Sequence, residues 1–238
     1  MMDSTIDYTV RVSRRARRAR IVVRPNMSVE VVLPHGLPHH HAASFVREKR
    51  GWIERSLKRF GDLPQSEMRE GAHHFPQQLL LDGVGLNLSI SYLKTDSDHV
   101  RVIETPAGLK LRGSVDDQEK VKSALQRWLK KKARELLPEM LDELAKLHGY
   151  PYRKVTIRLQ KSRWGSCSKA GNINLNAKLL FLPPQLLRYV ILHELGHLKH
   201  LNHSPSFWKE VAMADPDYRS HIREMRVVSY CVPDWAEN

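Results

Sequence analysis

Cysteine is scarce in this chain: 238 residues contain two, Cys167 and Cys231. Two thiols so placed make neither a disulfide framework nor a paired Cys-x-x-Cys metal knuckle. Long apolar runs are missing too, since none approaches the roughly 20 residues that a membrane helix needs. The first residues, Met1-Met-Asp-Ser-Thr-Ile-Asp7, lack the basic segment and apolar core of a secretion signal. A cytoplasmic protein with no membrane partner is the expectation. Acidic residues are few: 26 Asp and Glu face 39 Lys and Arg, a formal net charge of +13. That imbalance predicts attraction to polyanions and makes nucleic acid or nucleotides candidate partners of the basic surface. The remaining balance, 41% hydrophobic and 27% charged, is that of a soluble globular protein. Its length suits one large or two small domains.

What the chain does have is concentrated in Val190-Ile-Leu-His193-Glu194-Leu-Gly-His197-Leu-Lys-His200-Leu-Asn-His203. On a helix, residues four apart lie one above the other, so His193 and His197 share a face. Two imidazoles so placed can both reach a metal at about 2.0–2.1 Å. Glu194 is badly placed as a ligand and well placed as a general base toward a water that the metal activates. Pro183 and Pro184 suit a helix start, and the pattern runs without proline to Leu201. Apolar residues on both faces read as a buried helix, in which a carboxylate needs a compensating partner such as a metal.

His200 lies near the same face but about a turn too far from an ion held by the first two histidines. Asn202 tolerates the left-handed conformation that ends helices. Ser204-Pro205 reads as an N-cap followed by proline at the first position of the next helix. A turn at 201–204 would swing His203 back, so His203 is the expected third ligand and His200 a neighbour or surface residue.

Trp164-Gly-Ser-Cys-Ser168, Gly171-Asn-Ile-Asn-Leu-Asn176, Tyr189 to His197 and Asn202-His-Ser-Pro-Ser-Phe-Trp208 together resemble the YgjP-like metallopeptidases, relatives of SprT-type proteins and of the compact gluzincins. The resemblance implies a zinc site of His193, His197 and His203 with Glu194 as the catalytic glutamate. It implies nothing firm about the substrate; a peptide or protein substrate is the expectation from the peptidase reading. It also implies an α+β fold, in which a zincin-like catalytic domain sets its active-site helix beside a small antiparallel sheet and follows a β-rich N-terminal region.

Along the chain, 1–115 is read as that N-terminal region and 116–238 as the catalytic domain. Ile21-Val-Val23 and Val29 to Leu33 form a hairpin about Pro25-Asn26. Seven arginines fall between Arg11 and Arg24. Residues 39–60 read as one amphipathic helix, and His39-His40-His41 diverge by about 100° each, so they cannot share one ion. Residues 61–76 read as a loop. Strands over 78–81, 86–92, 100–103 and 108–111, with a turn at Asp82-Gly83, read as an antiparallel meander. A helix begins at Asp116-Asp117 and Pro138 is expected to kink or divide it. Residues 154–161 and 173–176 read as an antiparallel pair whose free edge could take an extended peptide. Trp164 and Cys167 read as core, with no adjacent histidine to make Cys167 a nucleophile. Phe207, Trp208, Val211 and Met213 are the apolar set of a helix ending near Asp215-Pro216, and a last helix runs to Met225.

These readings point to a zinc-dependent hydrolase, foremost a peptidase, with Tyr218, Arg163 or His221 as the oxyanion donor. Two rivals remain. One keeps the site as a metal-dependent phosphohydrolase acting on nucleotides. The other is a basic nucleic-acid-binding module with structural zinc. Iron or manganese could also occupy the site, although three imidazoles suit zinc.

Overall fold

The computed structural model describes residues 6–14, 16, 18–23, 27–61, 75–226 and 228–237. Contacts divide the chain into two compact units, Met1–Ala72 and His73–Asn238.

In the first unit, strands β1 (Thr9–Ser13), β2 (Arg20–Val23) and β3 (Val29–Pro34) form a sheet of order β1-β3-β2. The expected hairpin is present, with β2 antiparallel to β3, while β1 lies parallel on the other side of β3. One face of the sheet supplies Ile21, Val29, Val31 and Leu33 to a core completed by Ala42, Val46 and Ile53. The helix expected over 39–60 is two, α1 (His40–Glu48) and α2 (Arg50–Gly61). The break at Lys49 falls beside Gly51, the poorest helix former of the stretch, and lets both Val46 and Ile53 reach the sheet. His39, His40 and His41 are exposed. Of the seven arginines, Arg15, Arg17 and Arg24 lie outside the described residues, as does most of the 61–76 loop.

The second unit starts well before 116, because a sheet expected in the N-terminal region packs on its long helix. Strands β4 (Gln78–Leu81), β5 (Leu86–Lys94), β6 (Arg101–Thr105) and β7 (Gly108–Gly113) bury Leu79, Leu81, Leu109 and Leu111 in one core with Val121, Leu125 and Leu129. The sheet is no meander. Its order is β4-β5-β7-β6, with β7 inserted parallel to β5 and antiparallel to β6. Insertion is possible because glycines bracket β7. A Cβ on Gly108 would sit 2.1 Å from the Ser89 carbonyl oxygen, and one on Gly113 would sit 1.8 Å from that of His99.

Helix α3 (Gln118–His148) is continuous through Pro138. The carbonyl that loses its N–H partner belongs to Arg134, an exposed residue, where water can replace the bond. Asp117 caps the helix by accepting from the Glu119 and Lys120 amides, each at 3.1 Å. The third sheet contains β8 (Lys154–Arg158), β9 (Gly165–Cys167) and β10 (Asn172–Asn176) in the order β8-β10-β9. The pair expected to be antiparallel, β8 and β10, is parallel, and the antiparallel partner is β9. Asn176 enforces this path. Its Nδ2 donates to the carbonyls of Gln160 (2.9 Å) and Arg163 (2.7 Å), pinning the crossover between β8 and β9. Helices α4 (Pro184–Gly196), α5 (Pro205–Ala214) and α6 (Tyr218–Met225) complete the unit. Met213, expected in the core, is 73% exposed because Phe207, Val211 and Ala214 take the inward face of α5. The class is α+β, and all three small sheets are mixed. No described helix is long and apolar enough to cross a membrane.

The Asp117 cap yields a stability test. Asp117→Ala should lower unfolding free energy by about 1 kcal/mol. A lower urea midpoint with unchanged slope would register it.

Candidate metal centre

Helix α4 is buried along most of its length, including Leu187, Tyr189, Val190, Ile191, Leu192 and Leu195. It stops at Gly196, a turn and more before the expected Leu201, and without a left-handed residue at Asn202. Tight bonds close the end: the Leu198 amide to the Leu195 carbonyl at 3.0 Å, and the Lys199 amide to that of Gly196 at 3.2 Å. The reason for the early stop is α5. A Cβ on Gly196 would lie 3.2 Å from Phe207 Cε2 and 3.4 Å from Val211 Cγ2, so the helix end and α5 meet backbone to side chain.

Ser204 caps α5 through its Oγ, which accepts from the Phe207 amide at 3.4 Å, and Pro205 occupies the first turn as expected. This sets Phe207, fully buried, against all three rings. The His197 ring stacks on it with centroids 4.5 Å apart, and His193 and His203 meet its edge at 5.0 and 4.9 Å. Trp208 stacks on His203, and Tyr218 stacks on Trp208. The turn that carries His203 is tied down at its other end. Lys199 Nζ donates to Glu210 Oε1 at 2.6 Å and lies over the Tyr150 ring, while Tyr150 Oη donates to the same oxygen at 2.8 Å.

The outcome is that His193, His197 and His203 each offer a ring nitrogen, and these nitrogens lie within 4.8 Å of one another. The Nε2 atoms of His193 and His203 are 3.0 Å apart. The His197 Nδ1 is 2.9 Å from the His200 carbonyl oxygen. A carbonyl can only accept, so Nδ1 carries the proton and Nε2 keeps its lone pair for a metal. His200 thus orients a ring of the group through its backbone. Burial, and after it His197 and His203, push the His193 imidazole down to about 3. Burial and then His197 lower His203 as well. Neutral imidazoles are the form that binds metal.

Glu194 is buried and makes no hydrogen bond among the described residues, and burial pushes its carboxyl up to about 7. Strand β9 passes directly over it. A Cβ on Gly165 would fall 2.7 Å from Glu194 Oε1 and from its Cγ. The set fits a divalent metal on both counts, three neutral nitrogen donors and a buried carboxylate whose charge a cation would compensate. Cys167, beside this carboxylate, is pushed up to about 11 by burial and then by Glu194, so its thiol stays protonated.

Sequence reasoning missed Gly165, Phe207's contact with the rings, and Tyr189. The Tyr189 hydroxyl is 3.4 Å from His193 Nδ1. A tyrosine one turn before His193 in an otherwise apolar helix was the available signal. Of the oxyanion candidates, His221 bonds through Nδ1 to Asp215 Oδ2 at 2.7 Å and tilts against Tyr189, and Tyr218 joins the aromatic wall. The Arg163 side chain is exposed.

Three imidazoles gathered beside a buried carboxylate are a donor set of the kind used by mononuclear metallohydrolases. Residues 17–227 match the family model of the YgjP-like metallopeptidase domain, and the chain belongs to that family. Among solved structures it is similar to the metallopeptidase zymogen of Pyrococcus abyssi abylysin. Identity is 34% over 38% of this chain and 90% of that chain, with a TM-score of 0.34. No curated protein matches.

The raised Glu194 carboxyl has a thermodynamic signature in the metal-free protein. Between 4.5 and about 7 the unfolded chain has released this proton while the folded chain still holds it. The contribution to stability is full below about pH 4.5 and is lost as pH rises through 7. Metal-free Glu194→Gln, which cannot ionise, should therefore melt progressively above the metal-free parent as pH is raised from about 5 to 8. The full margin is about 3 kcal/mol, and calorimetry at matched pH measures it.

Proposed function

We propose that this protein is a zinc-dependent peptidase, with His193, His197 and His203 holding the ion and Glu194 acting as general base. The observation that carries the reading is the meeting of three imidazole nitrogens with a buried carboxylate that no other described group engages. Three neutral nitrogen donors favour zinc. A structural zinc takes four protein donors, and the described group has three, which favours catalysis over the structural alternative. When bound, zinc supplies a water of lowered pKa and a Lewis acid for a carbonyl oxygen.

The chain's own residues do the rest. Glu194 accepts a proton at its carboxylate and later returns it to the leaving amine. His197 is oriented by the His200 carbonyl and by Phe207 beneath it. Tyr218, or His221 held by Asp215, is the donor for a developing oxyanion. Strand β9 is the outer strand of its sheet. The Ser168 amide bonds to the Asn172 carbonyl and the Asn176 amide to that of Trp164. By antiparallel alternation the Gly165 and Cys167 backbone groups face away from β10. An extended peptide can pair there as an added strand, with Glu194 directly below Gly165. Two free cysteines, one with a thiol that stays protonated, accord with a reducing compartment, and we place the protein in the cytoplasm.

Glu194→Gln should retain zinc by elemental analysis and hydrolyse a mixed peptide panel on the order of 10³-fold more slowly. Gly165→Ala should behave likewise, because the nearest atoms its methyl group would meet are those of the Glu194 carboxylate, which it displaces. Undiminished turnover in Glu194→Gln would refute the mechanism.

A further inference from the structure

Between Leu144 and His193 the chain has no Asp or Glu. At the overall density of 26 in 238, a stretch of fifty residues would carry about five. The same stretch builds the third sheet and exposes Arg153, Lys154, Arg158, Lys161, Arg163 and Lys169. Some cations elsewhere in this unit do have carboxylate partners: Lys94 with Asp116, Lys120 with Asp98, Lys132 with Glu104 and Lys199 with Glu210. None of the six around this sheet has an ion-pair partner among the described residues. The carboxylates nearby are otherwise engaged. Glu194 lies under Gly165, Asp142 accepts from Tyr152, and Glu237 lies near Lys178.

One of the six is held in place. Arg158 Nε donates to Asn174 Oδ1 at 3.1 Å, and Asn174 Nδ2 donates to Ser166 Oγ at 3.1 Å. This row crosses the sheet from β8 to the outer strand β9, on the face opposite Gly165 and Cys167. It fixes the guanidinium beside Asn174, inward of β9, so Arg158 lends positive charge to this face without reaching a strand added at the edge. Arg163 and Lys169 stand two residues beyond either end of β9. A strand paired on the outer edge of β9 would set alternate side chains over the Arg158 face.

We propose that the β9 edge selects peptides with acidic side chains, with Arg163 and Lys169 reading the flanks and Arg158 adding positive charge to the face between them. This substrate class rests on the peptidase reading above. A peptide fits better than a nucleic acid, because the outward amides and carbonyls of Gly165 and Cys167 pair with a peptide backbone and have no counterpart along a sugar-phosphate chain.

Binding to full-length, zinc-loaded Glu194→Gln separates selectivity from chemistry. Fluorescent peptides of one length, differing in Glu, Gln or Lys at alternate positions, are titrated by anisotropy at low and high salt. The Glu series should bind about tenfold more tightly than the Gln series, with the margin shrinking as salt rises. Adding Arg163→Gln with Lys169→Gln should cut that margin to about threefold, and Arg158→Gln should cut it less and mainly at low salt. Equal affinity for Glu and Gln peptides would overturn the proposal. So would a single-stranded oligonucleotide that binds more tightly than every acidic peptide and loses that affinity with Arg163→Gln and Lys169→Gln. Selective binding of acidic peptides that wild-type zinc protein fails to cleave would instead overturn the peptidase reading and leave the selectivity standing.

Discussion

A carboxylate enclosed between a strand and a helix, with a glycine for its ceiling, is the constraint on which the centre depends. Removing a carboxylate from water is costly, and neutral protonation or a nearby cation is the only relief. Glu194 has the first in the metal-free chain, as its raised carboxyl attests. A dication at the three imidazoles would provide the second. The close approach of β9 then follows, because any side chain at Gly165 would occupy the carboxylate's own volume. One contact thereby joins the carboxylate proposed as general base to the strand edge on which a substrate would lie.

The imidazoles depend on packing more than on hydrogen bonds. Phe207 touches all three rings, and it reaches them because Gly196 admits α5 to the end of α4. Aromatic contacts restrict ring tilt without taking a nitrogen lone pair, which leaves the donors free. The polar restraint that does exist, the His200 carbonyl on His197, consumes the nitrogen that metal binding does not use.

Much of this centre was legible in the sequence. The spacing of His193 and His197, and the Ser204-Pro205 start of α5, are local properties of a helix and its cap, so short patterns encode them. The convergence of His203 was also foreseen, although by a later turn than the one the chain takes, since Gly196 reads as tolerable until Phe207 is seen against it. Strand order was not legible. β7 enters between β5 and β6, and β10 pairs parallel with β8, through contacts between segments distant in sequence. Gly108, Gly113 and Asn176 permit those paths, but their spatial neighbours had to be known before their purpose could be read.

The ionic clamp of Lys199 and Glu210 over the Tyr150 ring has a kinetic consequence. The turn that carries His203 is anchored there and at Phe207, which restrains the ring from both ends. Exchange of an ion at this site would then be coupled to local opening of α5.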